Sequence, residues 1–244
     1  MFKIGCCGFS GKMSQYFQEF KLVEIQQTFY KPPRIQTVEK WRIMAPEYFE
    51  FTVKCWQLIT HSPSSPTYRK AGIKISNEHL ERYGNFRPTE EVFQAWDTVR
   101  DICEVLNTKI CLIQCPASFR PTKENIENMY AFFSAINRAD ITIAWEPRGK
   151  SWTEEKVHRI CDELDLIHVV DPFAQRPATL VGSTAYLRLH GAPPGKKMYS
   201  YQYTDTDLRF LLKELNTYEV NQVYVLFNNI SKAYDAKRLL AMVE

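Results

Sequence analysis

No stretch of this chain approaches the roughly 18 consecutive apolar residues that a membrane span requires. The opening MFKIGCCGFS reads as a strand and a glycine turn, without the apolar core of a signal peptide. Both absences point to a cytosolic protein. Charge of one sign is also lacking: 31 Lys and Arg stand against 28 Asp and Glu, and the formal net charge of +3 implies neither nucleic acid nor a membrane surface as partner. No two of the seven cysteines are spaced CxxC, which removes the usual frame of a zinc or iron–sulfur site. Their odd number and their scatter through apolar stretches favour reduced, buried thiols over a disulfide framework. GCCGFS lacks the GxGxxG and GxxxxGK[ST] spacings of phosphate-binding loops, and neither a nucleophile elbow nor HExxH is present. Function has to be sought in residues that the fold brings together.

What is present is a regular alternation. Eight β-rich runs follow one another: Lys3 to Gly8, Leu22 to Tyr30, Phe49 to Trp56, Lys109 to Cys115, Ile141 to Glu146, Ile167 to Asp171, Ala185 to His190 and Gln222 to Asn228. Helical patterns follow most of them, at Thr37 to Ala45, Thr89 to Leu106, Lys123 to Asn137, Thr153 to Leu164, Asp205 to Asn216 and Ser231 to Val243. Two units are weak. Lys12 to Phe20 has room for a short helix only, and Ala174 to Ser183 is short and marked by Gly and Pro. Eight β units in 244 residues that are 45% hydrophobic predict one α/β domain, residues 1–244, closed as a (β/α)8 TIM barrel with incomplete helices after strands one and six. A doubly wound open sheet is the alternative.

Side chains alternate across a strand, so residues two apart share a face, and one face of a barrel strand lines the lumen. On this reading the second run presents Glu24, Gln26, Thr28 and Tyr30 inward, and the third Thr52, Lys54 and Trp56. The fifth presents Glu146 and then Arg148, and the seventh Tyr186, Arg188 and His190. Gln114, Asp171 and Asn228 close the fourth, sixth and eighth runs. All lie late in their strands, where barrel enzymes place catalytic groups. Any one of these residues could be structural, Arg188 pairing with Glu146 for example. Burying the whole set without a ligand is expensive, which predicts a pocket for a polar ligand. Lys54, Arg148 and Arg188 make that ligand a small anion.

His61 to Arg87 is a long polar insertion, and Gly191 to Tyr203 a second long loop on the same face. Lys196 and Lys197 read as a solvated loop tip. The aromatic residues read as core or lid packing.

Taken in order, IGCCGFS, VEIQQTFYKPP, FEFTVKCWQLITH, LIQCPASF, WEPRGKSW, VVDPF, YLRLHG and VYVLFNN resemble the YecE-like proteins, the DUF72 family, across nearly the whole chain. The insertion SPSSPTYRK and the WEPRG form are similar to its archaeal-type branch. The resemblance implies a TIM barrel with Glu24, Tyr30, Lys54, His61, Gln114, Glu146, Arg148, Asp171, Arg188, His190, Asn228 and Asn229 at family motif positions. Gln26 departs from the Asn usual there. No activity comes with the resemblance, since the family is known as uncharacterised.

Three functions remain open. The first is an enzyme acting on a small phosphorylated or carboxylated substrate. Glu24, Glu146, Asp171 and His190 would carry its acid/base chemistry, and Tyr30, Lys54, His61, Gln114, Arg148, Arg188, Tyr199, Asn228 and Asn229 would hold the substrate. The second is a metal-dependent phosphodiesterase or nuclease with a divalent ion on Glu24, His61, Glu146, Asp171 and His190; nucleic acid is the less favoured partner. The third is a non-catalytic ligand-binding or partner-binding barrel. Oligomeric state is not encoded in any of these features.

Overall fold

The computed structural model describes residues 1–192 and 198–243, so Lys196 and Lys197 lie outside the described residues. Eight strands, β1 (Phe2–Cys7), β2 (Leu22–Ile25), β3 (Glu50–Lys54), β4 (Ile110–Gln114), β5 (Thr142–Glu146), β6 (Leu166–Val170), β7 (Thr184–Leu189) and β8 (Gln222–Phe227), run parallel in sequence order around a closed barrel. The seam is the longest-range pairing, with Phe2 opposite Val223 and Cys6 opposite Phe227. The barrel expectation is met.

Between strands lie α1 (Met13–Glu19), α2 (Gln27–Tyr30), α3 (Ile35–Met44), α4 (Pro66–Lys70), α5 (Glu90–Leu106), α6 (Lys123–Ala135), α7 (Glu154–Leu164), α8 (Asp205–Leu215) and α9 (Lys232–Val243). Their sequences explain their limits. In α5 the residues Val92, Ala95, Trp96, Val99, Ile102, Cys103 and Leu106 recur every three or four positions and are all buried, and Asn107 ends the helix in the left-handed region at φ 53°. The Thr153 hydroxyl accepts from the Lys156 N–H at the start of α7, and Thr204 and Asp207 form a capping box on α8. The two weak units are as expected: α1 has seven residues, and after β6 comes only a 3-10 turn, Val181–Ser183.

The lumen is filled rather than open. Inward residues Leu22, Ile110, Leu112, Ala144, Ile167, Val169, Tyr186, Tyr224 and Leu226 pack as a cluster of their own, separate from the larger core between strands and helices. At the N-terminal end Lys3 pairs with Glu50 at 2.6 Å, and the Tyr224 hydroxyl donates to Glu50 at 3.0 Å. Gly5 is obligatory: a Cβ there would stand 2.2 Å from the Leu22 carbonyl oxygen.

The run at strand two departs from expectation. β2 stops at Ile25 and the chain turns at once into α2, whose Thr28 hydroxyl donates to the Lys54 carbonyl at 2.6 Å. Thr28 and Tyr30 therefore do not line the lumen by strand alternation, and Trp56 lies beyond the end of β3. The insertion contains α4 and a 3-10 turn, Asn77–Arg82. It is pinned back by the Gly84 and Phe86 N–H groups donating to Leu58 and Ile59 carbonyls, each at 2.8 Å. Among the described residues, no helix is long and apolar enough to cross a membrane.

Candidate functional site

Arg188, fully buried on β7, is the centre of the C-terminal end of the lumen. Its Nη1 donates to Glu146 Oε2 at 2.5 Å and its Nη2 to Glu24 Oε1 at 2.9 Å, with Cys7 Sγ 3.6 Å away. Glu24, also fully buried, accepts the Tyr186 hydroxyl at 2.7 Å, and Thr52 stands 2.8 Å behind that hydroxyl. The Gln26 amide donates to Glu24 as well. Glu24 is thus saturated on all sides.

Glu146 is differently placed. Its Oε1 faces the mouth, 2.5 Å from Arg148 Nη2 and 3.1 Å from His190 Nε2. Burial alone would raise its pKa, but the Arg188 and Arg148 guanidiniums and the His190 bond hold it well below the ordinary carboxylate range. His190 is pushed down to about 4 by burial, against the pull of Glu146, so its ring is neutral at pH 7. Asn228 Nδ2 stands 3.1 Å from Nδ1, and Nε2 stands 3.1 Å from Glu146 Oε1. Arg148 Nη2, 2.7 Å from the same Nε2, competes with it for one carboxylate oxygen.

Lys54 ends β3 and is 7% exposed. Its Nζ donates to Gln114 Oε1 at 2.8 Å and lies 4.1 Å over the Phe29 ring, and it makes no ion pair among the described residues. Burial, then the nearby Arg188 charge, lowers it to about 8.

The other expected site residues separate into groups. Tyr199 is exposed at the rim, edge-on to His190 with ring centres 5.4 Å apart. Tyr30 is half-buried beside Phe29 and accepts from Lys70 at 3.3 Å. His61 packs edge-on against Phe29 and pairs its Nδ1 with the Thr60 hydroxyl at 2.8 Å; burial and Lys54 hold it near 3. Asp171 accepts the Phe173 N–H at 3.0 Å and the His190 N–H at 2.9 Å, and burial raises it to about 6. It therefore fixes the end of β7. Asn229 turns away from the mouth: its amide donates to buried Asp235 at 2.7 Å and to the Tyr201 carbonyl at 2.8 Å.

The five metal candidates do not assemble. Among the described residues no three of His, Cys, Asp and Glu converge to hold an ion. The position between Glu24 and Glu146 is filled by the Arg188 guanidinium, an internal cation. A cleft of about 780 Å³ at the opposite end is lined by Phe2, Ile4, Phe20, Leu22, Tyr48 and Leu240, and its Lys3 and Glu50 already neutralise each other.

One feature escaped the sequence reading. The loops leaving the C-terminal strand ends carry Lys12, Lys31, Arg34, Arg69, Lys70, Lys74, Arg120 and Lys150, none ion-paired among the described residues, against a lone exposed unpaired acid, Glu78. Whole-chain charge hides this, because the compensating acids lie on the helices; counting charge loop by loop would have found it.

A protein-family model described as a protein of unknown function, DUF72, matches residues 7–244. The chain belongs to the DUF72 family. The UPF0759 protein YunF of Bacillus subtilis (strain 168) is 27% identical over 265 residues, covering 96% of this chain and 86% of that protein. A DUF72 family protein of Thermotoga maritima MSB8 superposes with a TM-score of 0.73 at 24% identity, over 100% of this chain and 99% of that one. A xylose isomerase domain-containing protein of Salmonella typhimurium LT2 gives a TM-score of 0.62 at 13% identity, over 99% and 94%. At such identities the two structures attest the fold alone. The DUF72 protein of Thermotoga maritima thus shares this barrel.

Proposed function

We propose that this DUF72 protein is an enzyme that binds a small phosphorylated or carboxylated metabolite at the C-terminal mouth of the barrel and acts on it by proton transfer through Glu146. The observation that carries this reading is the state of Glu146: a buried, ionised carboxylate with one oxygen turned to the mouth between Arg148 and His190. The unpaired cations on the surrounding loops support an anionic ligand.

The roles follow from the contacts. Arg188, locked between two carboxylates, stays with them, whereas Arg148 is 23% exposed and pairs with a single carboxylate, Glu146. An incoming anion draws Arg148 away, removes one counter-charge from Glu146, and raises its basicity as the substrate arrives. Neutral His190 then relays the proton, with Asp171 and Asn228 fixing its backbone and ring. Solvent-deuterium exchange into a panel of phosphorylated and carboxylated metabolites, followed by NMR, tests this. Glu146→Gln is expected to lower exchange by roughly 10²–10⁴-fold while leaving binding intact. Undiminished exchange in that variant rejects the base assignment, and tight binding without exchange in the wild type favours a non-catalytic barrel. A metal-dependent phosphodiesterase would need a ligand cluster that Glu24, His61, Glu146, Asp171 and His190 do not form.

A further inference from the structure

Among the basic groups at the lumen's C-terminal end, Lys54 is treated differently from its neighbours. Glu24 and Glu146 are both committed to Arg188, and Arg148 takes the remaining mouth-facing oxygen. Lys54 is left with a neutral amide oxygen as acceptor and the face of Phe29 beneath it. A buried ammonium kept only as ballast is normally paired. This one has no carboxylate in contact, and burial together with the Arg188 charge favours its free amine against the pull of Glu146 and Glu24.

We propose that Lys54 is an amine nucleophile that captures the aldehyde or ketone group of the substrate as an iminium ion. The inference rests on the reading that the mouth binds an anionic metabolite, and it narrows that metabolite to a carbonyl compound bearing a carboxylate or phosphate. The Nζ lone pair forms the C–N bond while the carbonyl π pair moves to oxygen. A proton passes from nitrogen to that oxygen, giving a neutral carbinolamine. A second proton, from solvent, lets the hydroxyl depart as water as the nitrogen pair closes the C=N⁺ bond. Amine, carbonyl and one proton thus become iminium and water, and no oxidant or reductant enters. The iminium then draws electrons from the adjacent carbon, and Glu146 takes the proton that leaves it; aldol cleavage or condensation, dehydration and isomerisation belong to that class.

The balance of charge sets the selectivity. With Lys54 lowered to about 8 by burial and the Arg188 charge, roughly a tenth of it is free amine at pH 7, against roughly 0.04% for an exposed lysine near 10.4. Lys54 is expected to react on the order of 100-fold faster than surface lysines.

The test is reductive trapping with sodium cyanoborohydride at pH 7, using pyruvate, glyoxylate and glycolaldehyde phosphate as separate probes, with intact-mass and peptide mapping. The expected result is one adduct at Lys54, formed at a rate that rises through pH 8 and lost in Lys54→Arg and Lys54→Met. Labelling confined to exposed lysines, or Lys54 labelled no faster than they are, overturns the proposal; the wild-type peptide map decides this even if the variants fail to fold. Thermal stabilisation by inorganic phosphate separates the two readings. Phosphate stabilisation with no Lys54 adduct removes the nucleophile and keeps the anion site, whereas a Lys54 adduct without phosphate stabilisation keeps the nucleophile and removes the anion site.

Discussion

Replacing Arg188 by Met is the most informative perturbation of this fold. The two side chains fill similar volumes, so the change removes charge and hydrogen bonds more than packing. Glu24 loses its bond at 2.9 Å and Glu146 its bond at 2.5 Å, and both carboxylates are almost wholly buried. Breaking a buried pair from one side costs about 3–5 kcal/mol, because the remaining charge is left without a partner. For a chain of 244 residues that corresponds to a melting point lower by about 6–20 °C, at about 2–4 °C per kcal/mol. The loss should depend on pH in a defined direction. In the wild type, Glu146 is held below its unfolded pKa, so its contribution is present above the ordinary carboxylate range and lost as pH falls toward its folded value. In Arg188→Met, Glu146 loses its largest downward pull while burial still raises it, so the deficit against wild type shrinks on moving from pH 8 to pH 5. Chemical denaturation of both proteins across that range measures it. A deficit under 1 kcal/mol, or one independent of pH, refutes the view that Arg188 is the internal counter-ion of two buried carboxylates. Glu24→Gln on the Arg188→Met background should restore part of the stability.

Other expectations follow from the same contacts. His61, His168 and His190 are held near 3, 4 and 4 by burial, so their neutral forms stabilise the fold above pH 6.5 and that stability is lost as pH falls below it. Asp171, raised to about 6, works in the opposite sense, leaving a net uptake of about two protons on unfolding and a slope of about 2–3 kcal/mol per pH unit between pH 6 and 4, measurable by urea midpoints. Gly84→Ala places a Cβ 2.3 Å from the His61 carbonyl oxygen at a φ of +76°; limited proteolysis should then cut the 61–87 insertion well before the barrel. Asp235→Ala strips the buried partner of Asn229, Ser231 and the Tyr203 N–H and should cost about 3 kcal/mol in the same denaturation assay.

How much of this could be read from the sequence depended on whether a residue sat inside a strand. Glu24, Lys54, Gln114, Glu146 and Arg188 are strand residues, and a period of two assigns them to the lumen without ambiguity. The rule loses force at strand ends, where the chain turns. Gln26 begins the turn into α2, so Tyr30 stands edge-on to Phe29 as its helical neighbour, and no alternation pattern contains that. Asn228 and Asn229 are adjacent, hence opposite in direction: one meets His190 and the other Asp235. Asp171 follows the last residue of β6, and its oxygens are spent on backbone N–H groups, which sequence cannot show. The metal candidates share a ligand chemistry but no common place in the fold. Arg188 stands between Glu24 and Glu146, and alternation can say that it faces inward but not what it touches.

The seam between β1 and β8 has a consequence for how such a chain is made. A ribosome releases Phe2 early and Val223 some 220 residues later, so the first strand keeps one edge of unmatched amide and carbonyl groups throughout most of synthesis. Loop closure over that span is slow and entropically disfavoured, and an open strand edge invites pairing with other nascent chains. Chains interrupted anywhere before β8 are therefore expected to be sticky fragments rather than smaller working barrels. Yield in the cell should respond to translation rate and chaperone supply more than to the thermodynamic stability of the finished molecule.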